Sequence, residues 1–481
     1  MQLSENSRLA MVLATAVLFS GSSYAWSQGN YDYPQVPAYT QPVGQTYTTA
    51  SLADSEDLAG RVAELESALG KIKAKEAAAK KKAAGKPSVK VGGRIFADWY
   101  AYDQDAASIG QITNQENGFR FDTVRIFVKG SAFHVVDYKV QFDFAGTQKA
   151  ITSVDPGPPA SGSSGSLQAP TFKDVYITVK ELPLLGHVKV GHFKEPFSLE
   201  QLTSSRYITF MERSLADVFV PGRNVGVMAY DTLADDNITW GIGAFISECG
   251  DEPPIFKNDS NATAITMRST WTPWYDEASG GRGLIHLGAS YSYRNIADES
   301  VSYGTKPEAG LGDNLLSVGP IDFVPVTDLL GLEAAMVYGP FRIQSEYMQA
   351  YVTRSGLANP QFDGAYVQVS YFLTGEHRKY KRSNGTFSDR VIPFENFFRV
   401  RDCDGCVRTG KGAWELAYRC SYLDLNGGGF NGGDATNHTL GINWYLNPYT
   451  RLMFNWINSD LREGGTTGNM NIAATRFQID F

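Results

Sequence analysis

Long segments of alternating apolar and polar residues constrain the fold of this chain more than any other feature. The segment 137–144 reads D-Y-K-V-Q-F-D-F, so its apolar side chains project to one face and its charged and amide side chains to the other. The same period of two recurs at 124–129, 174–180, 265–271, 284–294, 415–422 and 439–446. Strands of soluble proteins are mostly about 5–6 residues long, whereas a tilted membrane strand needs about 9–11. The longer runs therefore favour strands that cross a membrane.

The C-terminal segment follows the same alternation. It reads T-R-F-Q-I-D-F from Thr475 and ends in the aromatic residue Phe481. A soluble domain usually ends in a few loose polar residues. We therefore expect this strand to close the seam of a barrel whose apolar face contacts lipid and whose polar face contacts water.

The length and composition of the chain fit one large barrel. Its 481 residues include 25 Tyr, 27 Phe, 8 Trp and 48 Gly, as expected for many turn-linked strands with aromatic girdles. Residues 89–481, at roughly 24 residues for each strand and its connection, make about 16 strands, which leave room for an aqueous channel. The predicted fold is all-β, a transmembrane antiparallel β-barrel at 89–481. The net charge of −8 does not suggest nucleic acid as a partner.

The N-terminal residues predict export. The apolar run 9–20 follows Arg8, precedes the small-x-small sequence Ser23-Tyr24-Ala25, and is too short to span a bilayer comfortably as a helix. We interpret residues 1–25 as a signal peptide. No later segment could be a membrane helix, which leaves a periplasmic protein, a secreted protein or a barrel. The predicted location is the bacterial outer membrane.

Two further segments precede the barrel. Residues 26–55, rich in Tyr, Pro, Gln and Gly, are predicted to be a disordered linker. Residues 56–86 combine a short heptad seam with a Lys/Ala run, which predicts a coiled-coil helix, although a lone surface helix is the alternative. The basic run could touch peptidoglycan or another anionic envelope polymer, or simply confer solubility. The seam residues are Leu58, Val62, Leu65, Leu69 and Ile72.

The alternation also assigns charges to the interior of the barrel. On the polar face, basic residues outnumber acidic ones by about two to one, and a narrow pore with this bias favours anions. Alternatively the charges neutralise one another, as in a pair of Arg94 with Asp98 or of Arg342 with Glu346. The basic residues of this face are Arg94, Arg125, Lys129, Lys139, Lys180, Lys189, Arg268, Arg294, Arg342, Arg419, Arg451 and Arg476. The acidic ones are Asp98, Asp143, Glu333, Glu346, Glu415 and Asp480.

Several long stretches resemble the phosphate-selective porin O/P family. The most extensive begins at Phe193 (F-K-E-P-F-S-L-E-Q-L-T-S-S-R-Y-I-T-F-M-E-R-S-L) and resumes at Pro221 (P-G-R-N-V-G-V). Others begin at Asp137 (D-Y-K-V-Q-F-D-F-A-G), Ser370 (S-Y-F-L-T-G-E), Gly412 (G-A-W-E-L-A-Y-R-C-S-Y-L-D-L) and Leu440 (L-G-I-N-W-Y-L-N-P). The resemblance implies a trimeric, sixteen-stranded porin in outer-membrane lipid, whose narrow basic pore passes small anions such as phosphate.

The segment between the strands at Lys189 and Val225 is the predicted constriction. By resemblance it folds into the barrel, and Arg206 stands where the family places a basic constriction residue. Guanidinium groups suit such a site because they bind phosphate oxygens in a bidentate manner. The basic residues of this segment are Lys194, Arg206, Arg213 and Arg223. The predicted pore lining adds the strand residues Arg94, Arg125, Lys129 and Arg268.

Structural roles are the alternative for several of these charges. Arg213 could pair with Glu212 or Glu200, and Lys194 with Glu195. The basic segment 377–382 (H-R-K-Y-K-R) lies in the long connection 375–400. It could draw anions to a pore mouth, bind anionic lipid headgroups, or be a solvated loop. Long connections are expected at one end of the barrel and tight turns, such as 446–449, at the other.

The four cysteines and the absence of catalytic motifs limit the remaining chemistry. Cys403 and Cys406, in the sequence C-D-G-C of an exported protein, are predicted to form a local disulfide, and Cys249 and Cys420 to be unpaired. Zinc would need two more ligands, so no metal is predicted.

The sequence therefore predicts a passive, anion-preferring channel. It contains no HExxH motif, phosphate-cradling glycine loop or nucleophile elbow, so we predict neither an enzyme nor a cofactor. The main alternative is a structural envelope protein that links the outer membrane to the cell wall through the N-terminal helix. A barrel enzyme that acts on lipids or esters is a third, weaker hypothesis.

Overall fold

A computed structural model describes residues 67, 71, 87–145, 170–246, 262–296, 299–401 and 407–481. The predicted signal peptide and linker lie outside these residues, as does the segment 56–86 except for Ser67 and Lys71, which are helical and exposed. The predicted Cys403–Cys406 disulfide and the state of Cys249 lie outside them as well. Among the described residues, no helix combines the length and the apolar character needed to cross a membrane.

The described part of the chain is mostly β-strand. In chain order the strands are β1 (Lys90–Gln104), β2 (Gly118–Ala132), β3 (Val136–Asp143), β4 (Thr171–Leu182), β5 (Gly186–Lys194), β6 (Arg223–Leu233), β7 (Ile238–Ile246), β8 (Thr263–Tyr275), β9 (Gly283–Asn295), β10 (Ser300–Thr305), β11 (Leu316–Asp322), β12 (Val326–Tyr338), β13 (Phe341–Thr353), β14 (Gln361–Phe372), β15 (Phe398–Arg401), β16 (Val407–Gly410), β17 (Ala413–Gly427), β18 (Phe430–Asn447), β19 (Thr450–Glu463) and β20 (Thr466–Asp480). Short helices are α1 (Ala106–Ile112), α2 (Leu199–Leu202) and two 3₁₀ turns, Leu215–Phe219 and Arg382–Asn384.

Sixteen of these strands form one closed antiparallel barrel, which confirms the predicted fold. They are β1–β9, β12–β14 and β17–β20, each paired with its neighbours in this order. The barrel closes where β20 pairs with β1, and Phe481 extends the seam by exchanging backbone hydrogen bonds with Gly93 at 2.9 and 3.1 Å. The hairpins β10–β11 and β15–β16 are separate from the barrel sheet.

Most barrel strands have the predicted chemistry on their two faces. Phe477 of β20 and the terminal residue Phe481 are 44% and 61% exposed on the outside, whereas Arg476, next to Phe477, is 1% exposed and points inward. Cys420 is a free cysteine on the outer face of β17. The same alternation of exposed and buried residues runs along β8. The outer face is therefore apolar and suited to lipid, and the charged residues face the interior.

Tight turns and long connections are not fully separated between the two ends of the barrel. We call the end that carries the tight turns after β2, β4, β6, β12 and β18 the turn end, and the opposite end the loop end. The connection 373–412 between β14 and β17 lies at the turn end, because it follows an even-numbered barrel strand. The prediction that the long connection 375–400 belongs with the other long loops was therefore wrong.

Part of the barrel interior is filled with apolar side chains. On β19, Met453, Ile457 and Leu461 face inward and are fully buried. They belong to one cluster with Ile321 of β11 and Leu215 of the first 3₁₀ turn. We call the segment 195–222 the inner loop. The inner loop and the described residues of the connection 296–325 thus fold into the barrel from the loop end. They leave open space along the β1–β8 wall.

Candidate functional site: a basic channel inside the barrel

The inner loop is fixed to one side of the barrel by arginine side chains. Arg476 donates to the Met211 carbonyl oxygen at 2.6 Å, and Arg451 donates to the Ile208 carbonyl oxygen at 2.9 Å. Arg419 donates to the Glu212 carbonyl oxygen at 3.1 Å. Loop carbonyls would otherwise be unpaired in a buried position, which is costly. Three of the predicted lumen cations therefore hold the loop in place.

Carboxylates complete the attachment. Both oxygens of Glu346 accept backbone N–H groups at the start of α2, from Leu199 at 2.9 Å and from Glu200 at 2.7 Å. Arg419 is ion-paired with Glu200 at 3.2 Å and with Glu308 of the 296–325 connection. Buried polar groups with several hydrogen-bond partners keep a fixed geometry. The inner loop is thus part of a rigid polar network.

The opposite side of the inner loop borders an open channel. This cavity, of about 850 Å³, lies between the loop and the wall formed by β1–β8. Eleven basic but only five acidic side chains line it, which agrees with the predicted excess of positive charge. The basic side chains are Arg94, Arg125, Lys129, Lys139, Lys189, Lys194, Arg206, Arg213, Arg223, Arg268 and Arg476, and the acidic ones are Asp122, Asp174, Glu212, Asp217 and Asp231.

All eight residues of the predicted pore lining border this one cavity. Five of them are close to carboxylates: Arg125 and Asp143 are 2.6 Å apart, and Arg223 and Asp174 are 2.7 Å apart. The other three ion pairs join Arg206 to Asp480, Arg213 to Asp217 and Arg268 to Glu333. All eight thus border the cavity, while their role as the pore lining stays a prediction.

Four channel cations have no carboxylate within ion-pair distance among the described residues. They are Arg94, Lys129, Lys189 and Lys194. Arg94 donates instead to the Ser204 hydroxyl at 3.1 Å, and Lys194 donates to the Gln201 carbonyl oxygen. Uncompensated charge next to water is what attracts a diffusing counter-ion. The charges of these four side chains are therefore not neutralised by a carboxylate within ion-pair distance among the described residues.

Arg94 also belongs to a group of like charges. It lies directly opposite Arg125 in the β1–β2 pair, and the charges of Arg206 and Arg223 act on it as well. We call these four residues the arginine cluster. Like charges that face each other on neighbouring strands are destabilising unless something negative lies between them. Asp174 supplies part of that negative charge, and an oxyanion would supply more.

The predicted structural pairs of these charges were wrong. Asp98 binds Arg476 rather than Arg94. Arg342 donates to the Thr209 hydroxyl at 2.7 Å and to Gln344, not to Glu346. The alternative pairings of Arg213 with Glu212 or Glu200, and of Lys194 with Glu195, were wrong as well. Arg213 and Lys194 bind backbone carbonyls of the inner loop instead.

Asp174 is a site residue that the sequence interpretation missed. Its carboxylate binds Arg223 at 2.7 Å and also Lys139, so it sets the net charge at the centre of the channel wall. The sequence could have indicated this role. Asp174 begins the alternating segment 174–180 and projects to the same face as Lys180, which was assigned to the barrel interior.

Asp217 is a carboxylate of the inner loop with a shifted pKa. It lies 4.0 Å from Arg213 in the 3₁₀ turn and lines the channel. Burial raises the pKa of the Asp217 carboxyl to about 6, although the positive charge of Arg213 acts in the opposite direction. The charge of the constriction therefore changes near neutral pH.

The basic segment 377–382 is not a solvated loop. Arg378 binds Glu415 through two hydrogen bonds of 3.0 and 2.6 Å and donates to the Tyr207 carbonyl oxygen of the inner loop at 2.8 Å. Tyr380 contacts His286 on β9 at 2.6 Å. This part of the 373–412 connection therefore folds into the barrel from the turn end and meets the inner loop.

A group of three carboxylates has the spacing of a metal site but contains a guanidinium group. Ligand oxygens of Asp98, Asp122 and Glu212 lie within 4.8 Å of one another. Arg476 lies 2.6 Å from Asp98, 3.3 Å from Asp122 and 2.9 Å from Glu212. The group is thus an ion-pair network around one arginine.

The chain is similar to several known proteins. The family model described as phosphate-selective porin O and P matches residues 89–481. Porin O of Pseudomonas aeruginosa is 25% identical over 400 residues, which are 76% of this chain and 81% of that protein. An uncharacterized protein of Caulobacter vibrioides is 29% identical over 325 residues, 64% of this chain and 61% of that protein. Among solved structures, an anion-selective porin from Comamonas acidovorans has a TM-score of 0.47 at 13% identity, over 82% of this chain and 100% of that one.

Proposed function

The chain belongs to the family of phosphate-selective porins O and P, and from this membership we propose that its basic channel passes phosphate and similar small anions. The protein is a porin of the bacterial outer membrane, with an anion-preferring channel through a sixteen-stranded barrel. Family and fold point to a channel rather than an enzyme. Bacterial outer-membrane barrels have short turns on the periplasmic side and longer loops on the external side. The turn end therefore faces the periplasm and the loop end faces outward.

The observation that carries the phosphate proposal is the arginine cluster on the channel wall. Its guanidinium groups present planar arrays of donors that match a tetrahedral oxyanion. Ion pairs with Asp143, Asp174 and Asp480 reduce the charge without cancelling it. A permeant ion must bind well enough to enter and weakly enough to leave. Partly neutralised arginines in series meet both conditions better than one isolated cation.

Recordings from the purified porin in planar bilayers test the proposal. In a KCl gradient the reversal potential should show preference for chloride over potassium, and added phosphate should reduce the chloride current by competing for the same cations. Cation preference would contradict an anion channel. Anion preference without any effect of phosphate would keep the channel and refute the phosphate site.

We also propose a homotrimer, as the family resemblance implies. Light scattering from detergent-solubilised protein should give the mass of three chains after the detergent contribution is subtracted. A single-chain mass in several mild detergents would contradict the trimer. The alternative role in cell-wall attachment has no supporting observation among the described residues.

A further inference from the structure

An aromatic surface lies on the channel wall next to the cations. Phe127 on β2, Tyr176 on β4, Phe193 on β5 and Tyr230 on β6 all line the cavity. Phe127, Tyr176 and Tyr230 are only partly buried, so their rings border the open lumen. We call these four residues the aromatic wall. Inorganic phosphate gains little from such a surface, because it needs charged and hydrogen-bonding partners only.

A glycine behind the aromatic wall leaves room for a ring that supports it. Phe193 packs edge-on against Tyr176 and Phe245, with ring centroids 6.2 and 5.5 Å apart. Phe245 lies directly over Gly226, its partner on the next strand, where a Cβ atom would be 2.4 Å from the ring. A larger residue at this position would push the ring towards the lumen. The glycine at position 226 thus leaves room for Phe245, which supports Phe193 of the aromatic wall.

Cations stand on the faces of these rings. The Lys189 ammonium is 4.8 Å from the ring centroids of Tyr176 and Tyr230, and 5.2 Å from that of Phe193. On the neighbouring part of the wall, Lys129 and Lys139 approach the Phe127 ring at 5.7 and 5.8 Å. Cation–π contacts of this kind hold the ammonium groups at the ring surface. Rings and positive charges are therefore presented to the lumen together.

The aromatic wall adjoins the arginine cluster. Tyr176 follows Asp174 by two residues on the inward face of β4, and it lies opposite Lys139 in the β3–β4 pair. Asp174 is the carboxylate that binds Arg223 of the arginine cluster. A solute that places an anionic group at Arg223 therefore has its next atoms beside the Tyr176 ring.

From this juxtaposition we propose that the preferred solutes are organic anions with a planar aromatic body, such as aryl phosphates and aromatic carboxylates. The anionic group binds the arginine cluster, while the ring packs against Tyr176 and Tyr230. The proposal rests on the proposed anion channel, because it uses the same cavity. It adds a second recognition element, which distinguishes anions of equal charge by their apolar part.

The test compares phenyl phosphate with methyl phosphate as inhibitors of the chloride current in planar bilayers. Both carry the same charge, so the arginine cluster alone treats them alike. We expect phenyl phosphate to reach half-inhibition at a concentration about fivefold lower, as a favourable aromatic contact predicts. Equal inhibition by the two, with chloride preference intact, would overturn this proposal and leave the anion channel standing. Failure of both to inhibit, together with cation preference, would overturn the anion channel itself.

Substitutions of Tyr176 and Tyr230 test whether these rings cause the difference between phenyl phosphate and methyl phosphate. Tyr176→Leu with Tyr230→Leu keeps apolar bulk without rings and should bring the two inhibitory concentrations together, whereas Tyr176→Phe with Tyr230→Phe should preserve the difference. Tyr291→Leu, on the outer face of β9, serves as the matched control and should change nothing. Correct folding is checked by unchanged chloride preference. A preserved difference in the double leucine variant would overturn the assignment to these rings.

Discussion

Arg476 on the last strand and Asp98 on the first strand face each other across the seam of the barrel. Both guanidinium–carboxylate hydrogen bonds are short, 2.7 and 2.6 Å, and both side chains are almost completely buried. The register pairs the same two residues directly. The contact therefore joins the two ends of the barrel sheet and, through the Met211 carbonyl, fixes the inner loop as well.

Loss of this arginine should destabilise the barrel. Arg476→Leu leaves Asp98 buried without its ionic partner, so we expect the free energy of unfolding to fall by about 3 kcal/mol. The double variant Arg476→Leu/Asp98→Leu should regain part of this loss, because the Asp98 carboxylate, the most buried of the three partners of Arg476, is no longer left unpaired. Denaturant unfolding in phospholipid vesicles, followed by tryptophan fluorescence, measures both. Arg462→Leu, whose side chain is 59% exposed, is the control with little expected effect. Equal stability of Arg476→Leu and the control would refute the role of the pair.

Arg94 should contribute more to selectivity than its paired neighbours. Because no carboxylate among the described residues lies at ion-pair distance, Arg94→Gln removes a full positive charge from the channel. We expect the chloride-to-potassium permeability ratio to fall by about twofold, as measured by the reversal potential in a KCl gradient. Arg462→Gln near the loop end removes the same charge away from the channel and should leave the ratio unchanged. A similar decrease in both variants would show that the effect is one of total charge.

Anion preference should rise as the pH falls from 7.5 to 5. The raised pKa of Asp217, about 6, means that its carboxyl is mostly ionised at pH 7.5 and mostly protonated at pH 5. Protonation removes a negative charge from the constriction, so the channel becomes more positive. Reversal potentials at the two pH values measure the change. Asp217→Asn should behave at pH 7.5 as the wild type does at pH 5, and a pH response that survives this substitution would assign it to another group.

The width of the channel should depend on Glu346. Its carboxylate accepts two backbone N–H groups of α2, and unpaired buried donors each cost about 1–3 kcal/mol. Glu346→Ala should therefore loosen the inner loop and raise the single-channel conductance and its current noise. Glu463→Ala, at the exposed end of β19, is the matched control. Unchanged conductance in Glu346→Ala would show that the remaining contacts are sufficient to hold the loop.

The sequence was sufficient to predict the wall of the barrel, but only part of its contents. Period two alone placed Arg94, Arg125 and Arg268 inside, because lipid on one face leaves no other place for a guanidinium group. It could not show that Met453 and Ile457 also face inward. Apolar residues on both faces of β19 are explained by the apolar cluster inside the barrel, to which the inner loop and the β10–β11 hairpin contribute. The spacing of residues along the chain likewise does not predict ion pairs between distant segments, such as that of Asp98 with Arg476.

The end of the barrel at which each connection lies was harder to predict. The strands β10, β11, β15 and β16 have only 4–7 residues and form two hairpins that do not belong to the barrel. The connection 375–400 was grouped with the long loops by its length alone. Length does not show that a segment folds into the barrel from the turn end, so its contacts inside the barrel could not be anticipated.

The hydrogen bond from Arg378 to the Tyr207 carbonyl has a mechanical consequence. The two segments that narrow the passage are anchored on opposite membrane surfaces, one through the connection 373–412 and the other through the strands β5 and β6, and they touch near the middle. Displacement of either one strains the other, even while every spanning strand stays in place. Events at the periplasmic mouth and at the external mouth are thereby linked through contacts inside the barrel, which include this hydrogen bond and the packing of Leu199 with Tyr380 and Phe387.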